Sequence, residues 1–402
     1  MRELSRRGLL GPEEDWSLAP VAAWLVIEGR RLAEPAALLD GLAAQLDKAG
    51  ARIDRMGFTC ATIHPQQLAW GCLWQRGEGA APFTGRHGIE ASDAFVGSPV
   101  QHVFERRSAF RRRLAALEEE RDHPLLHELR AAGMTDYYAL PMEFGTDEVN
   151  FFGAATAAPA GYSDADLERL DALANLLAPL IEIIHGRRLT LGLLDTFVGP
   201  RIGERILRGQ VKRGDGDRIE AAFWYSDLRG FTALSESLPA PQLLQLLNEY
   251  FENCAAACAA RGGEILQFIG DAILIVFEIA RPQDEAAVCE AALDAAIDAL
   301  AQLAVVNHRR RHAALPEIDF GLGLHLGTVT HANVGAPDRL AFNVVGPAVN
   351  RTARLASLAK RAGVPLAVSQ EFAARVRRPL RALGRFELAG IGGAHEVFTP
   401  AK

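Results

Sequence analysis

The stretch GGEILQFIGDAILIVF, residues 262–277, decides how this chain is read. Two apolar runs, EILQFI and AILIVF, are separated only by Gly270 and Asp271, the residue types of a tight hairpin turn. A carboxylate is thereby held between two strands. Working outward toward the amino terminus, AAFWYS (221–226) is apolar and aromatic enough for a buried central strand, and it stops at Asp227, followed by LRGFTALSE. A carboxylate at a strand end is well placed to meet a ligand. Between the two segments, Pro241 opens a helix with Leu243, Leu247, Tyr250, Phe251, Cys254 and Cys258 on one face, closed by Gly262 and Gly263. If the hairpin pairs with the strand ending at Asp227, Asp227 and Asp271 converge at one edge of a sheet. Either aspartate alone would be read as a cap of backbone groups.

Toward the carboxyl terminus, GLGLHLG (321–327) alternates leucine with small or polar residues and opens no helix, so it reads as sheet and not as a dinucleotide fingerprint. In AFNVVGPAVNRTARLASLAK (341–360), Gly346 and Pro347 start a helix that puts Asn350 and Arg354 four apart on one face. Gly230 and Phe231 lie where a strand gives way to a short helix, so their amides can receive an anion with help from the helix dipole. No Gly-Lys-Ser/Thr exists in the chain, which excludes a P-loop.

The segments YSDLRGFTALSE, GGEILQFIGDAILIVF and VGPAVNRTARL, in that order, resemble the signatures of class III adenylyl and guanylyl cyclases. The resemblance implies an α+β fold with a ferredoxin-like βαββαβ core over residues 219–402. It implies that Asp227 and Asp271 hold two divalent cations, magnesium or manganese, and that oxygen ligands suit them. It implies that Gly230, Phe231 and Thr232 form the phosphate-binding turn, that Asn350 orients the ribose, and that Arg354 stabilises charge developing at the α-phosphate. In that family the metal aspartates come from one subunit and the purine, Asn and Arg contacts from the other, so a homodimer with interfacial sites is implied. The expected activity is conversion of ATP to 3′,5′-cyclic AMP and pyrophosphate. A guanylate or dual-substrate cyclase, and a degenerate cyclase fold that signals without turnover, are the alternatives.

The sequence departs from the family in two places. Where adenine-selective members usually carry a lysine and an aspartate or threonine, this chain has Gln267 and Asn343, whose amides donate or accept according to their orientation. In FELAGIGGAHEVF (386–398) the family's triphosphate-binding lysine is replaced by Ala389 and Ile391, with Arg385 nearby. A higher Michaelis constant is expected.

The amino-terminal half follows a different pattern. A segment of 1–34, partly helical, precedes residues 35–54 with apolar residues at helical spacing, then strand-like runs at 58–64, 68–75, 109–113, 137–142 and 150–156. A helix begins at Ser163, capped with Asp166, and Leu167, Leu170, Leu173, Leu177, Leu180 and Ile184 form a seam, a second subunit being one candidate partner. Pro179 is expected to kink it. The order of elements, ending in FFGAATAAPAGYSDADLERLDALANLLAPLIEI, resembles the close of GAF-type sensory domains over 35–187, which implies a small-molecule pocket and an unknown small-molecule or protein regulator. His64 beside a strand is expected to be a packed or capping residue. Residues 188–218 read as a helical connector broken by Gly199 and Pro200.

Composition bounds the rest. The 402 residues are 49% hydrophobic and 23% charged with a net charge of −7, which argues against a nucleic-acid surface. No run approaches a membrane span and no signal peptide is recognisable, so no membrane partner and a cytoplasmic location are expected. Five cysteines without a Cys-x-x-Cys pair indicate buried thiols, a Cys254–Cys258 metal chelate being the alternative.

Overall fold

A computed structural model of the chain describes residues 16–145, 148–214, 216–336 and 339–401. The expected helical character of 1–34 therefore lies partly outside the described residues, and within them a helix runs over Ala19–Ile27 (α1). The chain divides into two compact units, Met1–Phe197 and Val198–Lys402.

The first unit is built on a six-stranded antiparallel sheet: Arg55–Ala61 (β1), Gln67–Gln75 (β2), Gly79–Arg86 (β3), Phe110–Arg113 (β4), Asp136–Glu143 (β5) and Val149–Thr156 (β6), in the order β3-β2-β1-β6-β5-β4. Side chains alternate across it as the pleat requires. Met56, Phe58, Cys60, Trp70, Leu140 and Phe152 face the main core with Pro35–Lys48 (α2) and the long helix Asp164–Val198 (α5). The other face packs a smaller core against Pro99–Arg106 (α3) and Pro124–Ala131 (α4), through Val103, Leu126, Leu129, Tyr137 and Phe151.

Ser163 and Asp166 cap α5 reciprocally: the Ser163 amide donates to Oδ2 of Asp166 at 2.9 Å, and the Asp166 amide donates to Ser163 Oγ at 3.2 Å. Leu170, Leu173, Leu177 and Ile184 are buried in the unit's own core, so the seam is covered by its own sheet and needs no second subunit. Pro179 sits inside the helix without ending it, and α5 continues through what the sequence suggested was the start of a separate connector. The break comes at Gly199, in the left-handed region at φ +88°, and Pro200 starts Pro200–Leu207 (α6).

In the second unit the order is Gly216–Leu228 (β7), Phe231–Ser237 (α7), Ala240–Ala259 (α8), Glu264–Ile269 (β8), Ala272–Glu278 (β9), Glu285–His312 (α9) and Phe320–Ala336 (β10). Leaving the short α7 aside, this is βαββαβ, with the strands side by side as β10-β7-β9-β8. Arg339–Val345 (β11) pairs back onto β10, and Leu366–Ser369 (β12), Leu380–Leu388 (β13) and Ile391–Pro400 (β14) extend the sheet. Pro347–Arg361 (α10) and Gln370–Ala373 (α11) complete the unit.

One sheet face, with Ala222, Trp224, Ile273, Ile275, Leu322 and Leu324, packs on α8 and α9. On the opposite face α10 lies against β10 so closely that only glycine fits beneath it. A Cβ on Gly323 would stand 2.4 Å from the Thr352 carbonyl oxygen and 2.6 Å from the Ala356 nitrogen. Leu246 is fully buried on α8 although the helical face read from sequence centred on Leu243 and Leu247.

Candidate active site

Strand register brings the two aspartates together. Asp227, at the end of β7, is the partner of Ala272 at the start of β9, and Asp271 immediately precedes Ala272 in the β8–β9 turn. That turn has Gly270 at φ +65°, a conformation that glycine adopts without strain. Asp227 Oδ1 is buried and has no hydrogen-bond partner. Burial pushes the Asp227 carboxyl above its usual range, and the neighbouring Asp271 charge adds to it, while Lys360 and Arg229 pull the other way.

The orphan atoms gather above a bare stretch of β10. Gly321 pairs with Asp227 in the sheet, and a Cβ there would lie 3.7 Å from Asp227 Oδ1 and 3.8 Å from Arg229 Nε. Arg229 Nε is likewise buried and unpartnered, whereas the Arg229 guanidinium donates to the Val364 carbonyl at 2.7 Å. A half-buried carboxylate with a free oxygen and a second carboxylate charge nearby is costly unless a cation neutralises it. This all-oxygen donor set fits a hard divalent ion.

Asn350 and Arg354 are exposed on α10, one turn apart, while Leu355 and Ala356 on its other side face the core. Burial raises the pKa of Tyr225, as do Asp227 and Asp271, and Arg354 opposes them, so the arginine and the carboxylates act on the same side of the sheet. Gly230 is the N-cap of α7 at φ +71°, with open space around it. No side chain caps that helix, which leaves the amides of Phe231 and Thr232 without a capping acceptor. Phe231 packs its ring on the core, and Thr232 is exposed.

Gln267 is half-buried on β8 opposite Leu274, beside an irregularity in the β8–β9 ladder. Asn343 is half-buried on β11, and its Oδ1 accepts the Val344 amide at 2.8 Å. That bond engages the oxygen end of the amide and leaves the NH₂ end as its donor. Ala389 lies at the turn of the β13–β14 hairpin and Ile391 begins β14; Arg385 is exposed on β13 and donates to the Ala394 carbonyl at 3.3 Å.

Arg229 and Lys360 were not picked out from sequence as groups acting on Asp227. The register and the helix packing that place them there are long-range features, and only the spacing of Arg229 from Asp227 was local. The Cys254–Cys258 chelate is not supported. Both thiols are buried, burial pushes Cys254 up to about 12, and Cys254 lies 3.9 Å from Ser226 Oγ. No group of three or more His, Cys, Asp or Glu side chains with metal-holding geometry occurs among the described residues. His64 accepts the Gln66 amide on Nδ1 at 3.1 Å, a turn-capping role.

Residues 217–397 match the family model described as the adenylate and guanylate cyclase catalytic domain. Adenylate cyclase 1 of Rhizobium meliloti (strain 1021) is 28% identical over 183 residues, covering 45% of this chain and 27% of the relative. The adenylate cyclase of Anabaena cylindrica is 32% identical over 150 residues, covering 36% of this chain and 28% of the relative. The chain thus spans less than a third of the length of either. Among solved structures, the adenylyl cyclase CyaB from P. aeruginosa is similar at 25% identity with a TM-score of 0.42, covering 46% of this chain and 96% of that one. No helix among the described residues is long and apolar enough to cross a membrane.

Proposed function

We propose that residues 219–402 form an adenylate cyclase that converts ATP to 3′,5′-cyclic AMP and pyrophosphate, as a homodimer regulated by the amino-terminal unit. The observation that carries this reading is the unpartnered Asp227 Oδ1 beside Asp271 at the sheet edge. Asp227 and Asp271 would hold magnesium or manganese, which when bound supplies Lewis acidity toward the ribose hydroxyl and the α-phosphate. The chain's own residues do the rest. The amides of Gly230, Phe231 and Thr232 receive the triphosphate at a helix start. Arg354 brings a positive charge toward the phosphorus as it becomes five-coordinate, and Asn350 fixes the ribose so that the 3′-oxygen attacks in line. Pyrophosphate leaves on the far side.

ATP is favoured by the named activity of the two relatives. A second reading, GTP, rests on one observation: the free NH₂ of Asn343 is a donor, and the guanine six-oxo group is an acceptor, whereas the adenine six-amino group is not. The amino-terminal unit, with its antiparallel sheet between helices, is proposed as the GAF-like regulator. The long α5 at its end and α6 at the start of the second unit would carry its state onward.

Variants test this reading directly. Asp227→Ala and Asn350→Ala should each be inactive alone. Mixed, they should regain activity, because a dimer with shared sites leaves one site intact in each heterodimer. Full activity of Asp227→Ala would remove the metal assignment, and failure to complement would remove the shared site.

A further inference from the structure

The first unit contains a cavity of about 270 Å³ between the sheet and helices α3 and α4. Along β1, Arg55, Gly57 and Thr59 alternate with Met56, Phe58 and Cys60, whose side chains belong to the main core. The first three therefore face the cavity. Its floor is bare across two strands, because Gly57 and Gly153 are register partners on β1 and β6. That bareness shapes the walls: a Cβ on Gly153 would stand 2.8 Å from the Tyr137 hydroxyl and 2.9 Å from the Phe151 ring. Glycine lets both aromatic rings lie close to the sheet. Val100, Leu125 and Leu129 close the other side.

The polar groups in this apolar space are few and lie together. Tyr137 is only 7% exposed, yet its hydroxyl has no hydrogen-bond partner among the described residues. Arg55 lines the same cavity, is close enough to act electrostatically on Tyr137, and forms no ion pair among the described residues. Apolar walls with two converging donors are the composition of a small-molecule site. The donors set its polarity, because a guanidinium beside a hydroxyl calls for an anionic oxygen pair.

We propose that this cavity binds a small planar carboxylate, with an apolar ring against Phe151, Leu125 and Leu129 and its carboxylate on Arg55 and the Tyr137 hydroxyl. The volume accommodates one or two fused rings. A neutral apolar molecule would fill the walls but leave both donors unpaired. The proposed regulation of the second unit gains a ligand class here, but binding does not depend on turnover, so the site and the cyclase reading can fail separately.

The test is isothermal titration calorimetry of the full chain with naphthoate, and with naphthalene methanol as its neutral counterpart. Naphthoate should bind at least about tenfold more tightly than the alcohol, as expected for charge-assisted bonds. Arg55→Gln and Tyr137→Phe should each weaken naphthoate binding about tenfold, with unliganded melting points close to that of the unaltered chain. Three results would overturn the proposal: no heat from naphthoate up to millimolar concentration, an alcohol that binds as well as the carboxylate, or folded variants of both residues that bind naphthoate undiminished. The comparison of carboxylate with alcohol needs no variant, so it stands even if a substitution unfolds the unit.

Discussion

Gly323→Ala should separate the position of Arg354 from its chemistry. The new Cβ would meet the Thr352 carbonyl oxygen at 2.4 Å, the Ala356 nitrogen at 2.6 Å and Leu355 Cβ at 2.9 Å. Two of the three are helix backbone and cannot rotate away. The shortest contact is about 1 Å inside ordinary van der Waals distance, so α10 must lift from β10 by about that amount. Overpacking of this kind costs about 1–3 kcal/mol, a fraction of the stability of a domain this size. The larger effect falls on catalysis, since α10 carries both Asn350 and Arg354. A misplacement of about 1 Å can lower turnover about 100-fold. The assay is steady-state kcat and KM for ATP with manganese, alongside a thermal melt. Gly186→Ala on α5 is the control: it has open space around it, so it should leave kcat and KM unchanged, with a melting point equal to or slightly above the parent's, as alanine favours a helix interior. A folded Gly323→Ala enzyme with kcat within about twofold of the parent would refute the claim that the seating of α10 positions the arginine.

Other outcomes follow from the same geometry. The native Asp227 carboxyl binds its proton more tightly than in the unfolded chain, so its ionised form costs stability at neutral pH, a cost that disappears as pH falls below its usual range. Asp227→Asn should therefore raise the melting point of metal-free protein while lowering turnover at least about 100-fold; a lower melting point would contradict the like-charge account. His325 is buried, its Nδ1 lies 2.9 Å from Ser369 Oγ, and burial pushes it down to about 4 from an ordinary 6.5. The unfolded chain thus takes up a proton first, so the stability contributed above pH 6.5 is lost as pH falls toward 4, at about 1.4 kcal/mol per pH unit. Urea melts of His325→Gln between those limits should show a shallower pH dependence, and an unchanged slope would exclude this histidine as a contributor. Arg310 is 3% exposed and pairs with Glu249 at 2.8 Å, so Glu249→Ala should cost about 3 kcal/mol by stranding a buried charge. With Ala389 and Ile391 where the family has its phosphate lysine, ATP affinity should be weak, and a submicromolar dissociation constant that survives Arg385→Ala would contradict this.

What was legible in the sequence was what local chemistry controls. The hairpin at 262–277 could be read because Gly270 and Asp271 break two long apolar runs, and the strand at 221–226 because its residues are apolar without interruption. β3 could not, because GAAPFTGR is small, partly exposed and contains Pro82, and so carries no alternation. Nor could the polar start of β7 at Gly216, which is a strand only because β10 pairs with it from Ala332 onward. The long helix was divided too early. Its apolar face ends near Ile184, yet the helix continues through Gly186 and Gly192 to Val198 and stops only at the Gly199-Pro200 pair. Within the site, Asp227, Asp271, Asn350 and Arg354 lie in recognisable local segments. The placement of Gly321 beside the Asp227 carboxylate, and the reach of Lys360 toward it, depend on strand register and on the packing of α10, a helix far along the chain from Asp227.

The most direct measurement is product identification. Purified protein of residues 1–402 is incubated separately with ATP and with GTP in the presence of manganese, and the products are identified by mass spectrometry. ATP should yield 3′,5′-cyclic AMP and pyrophosphate, and Asp227→Ala should abolish both; absence of a cyclic product from either nucleotide would exclude a nucleotide cyclase.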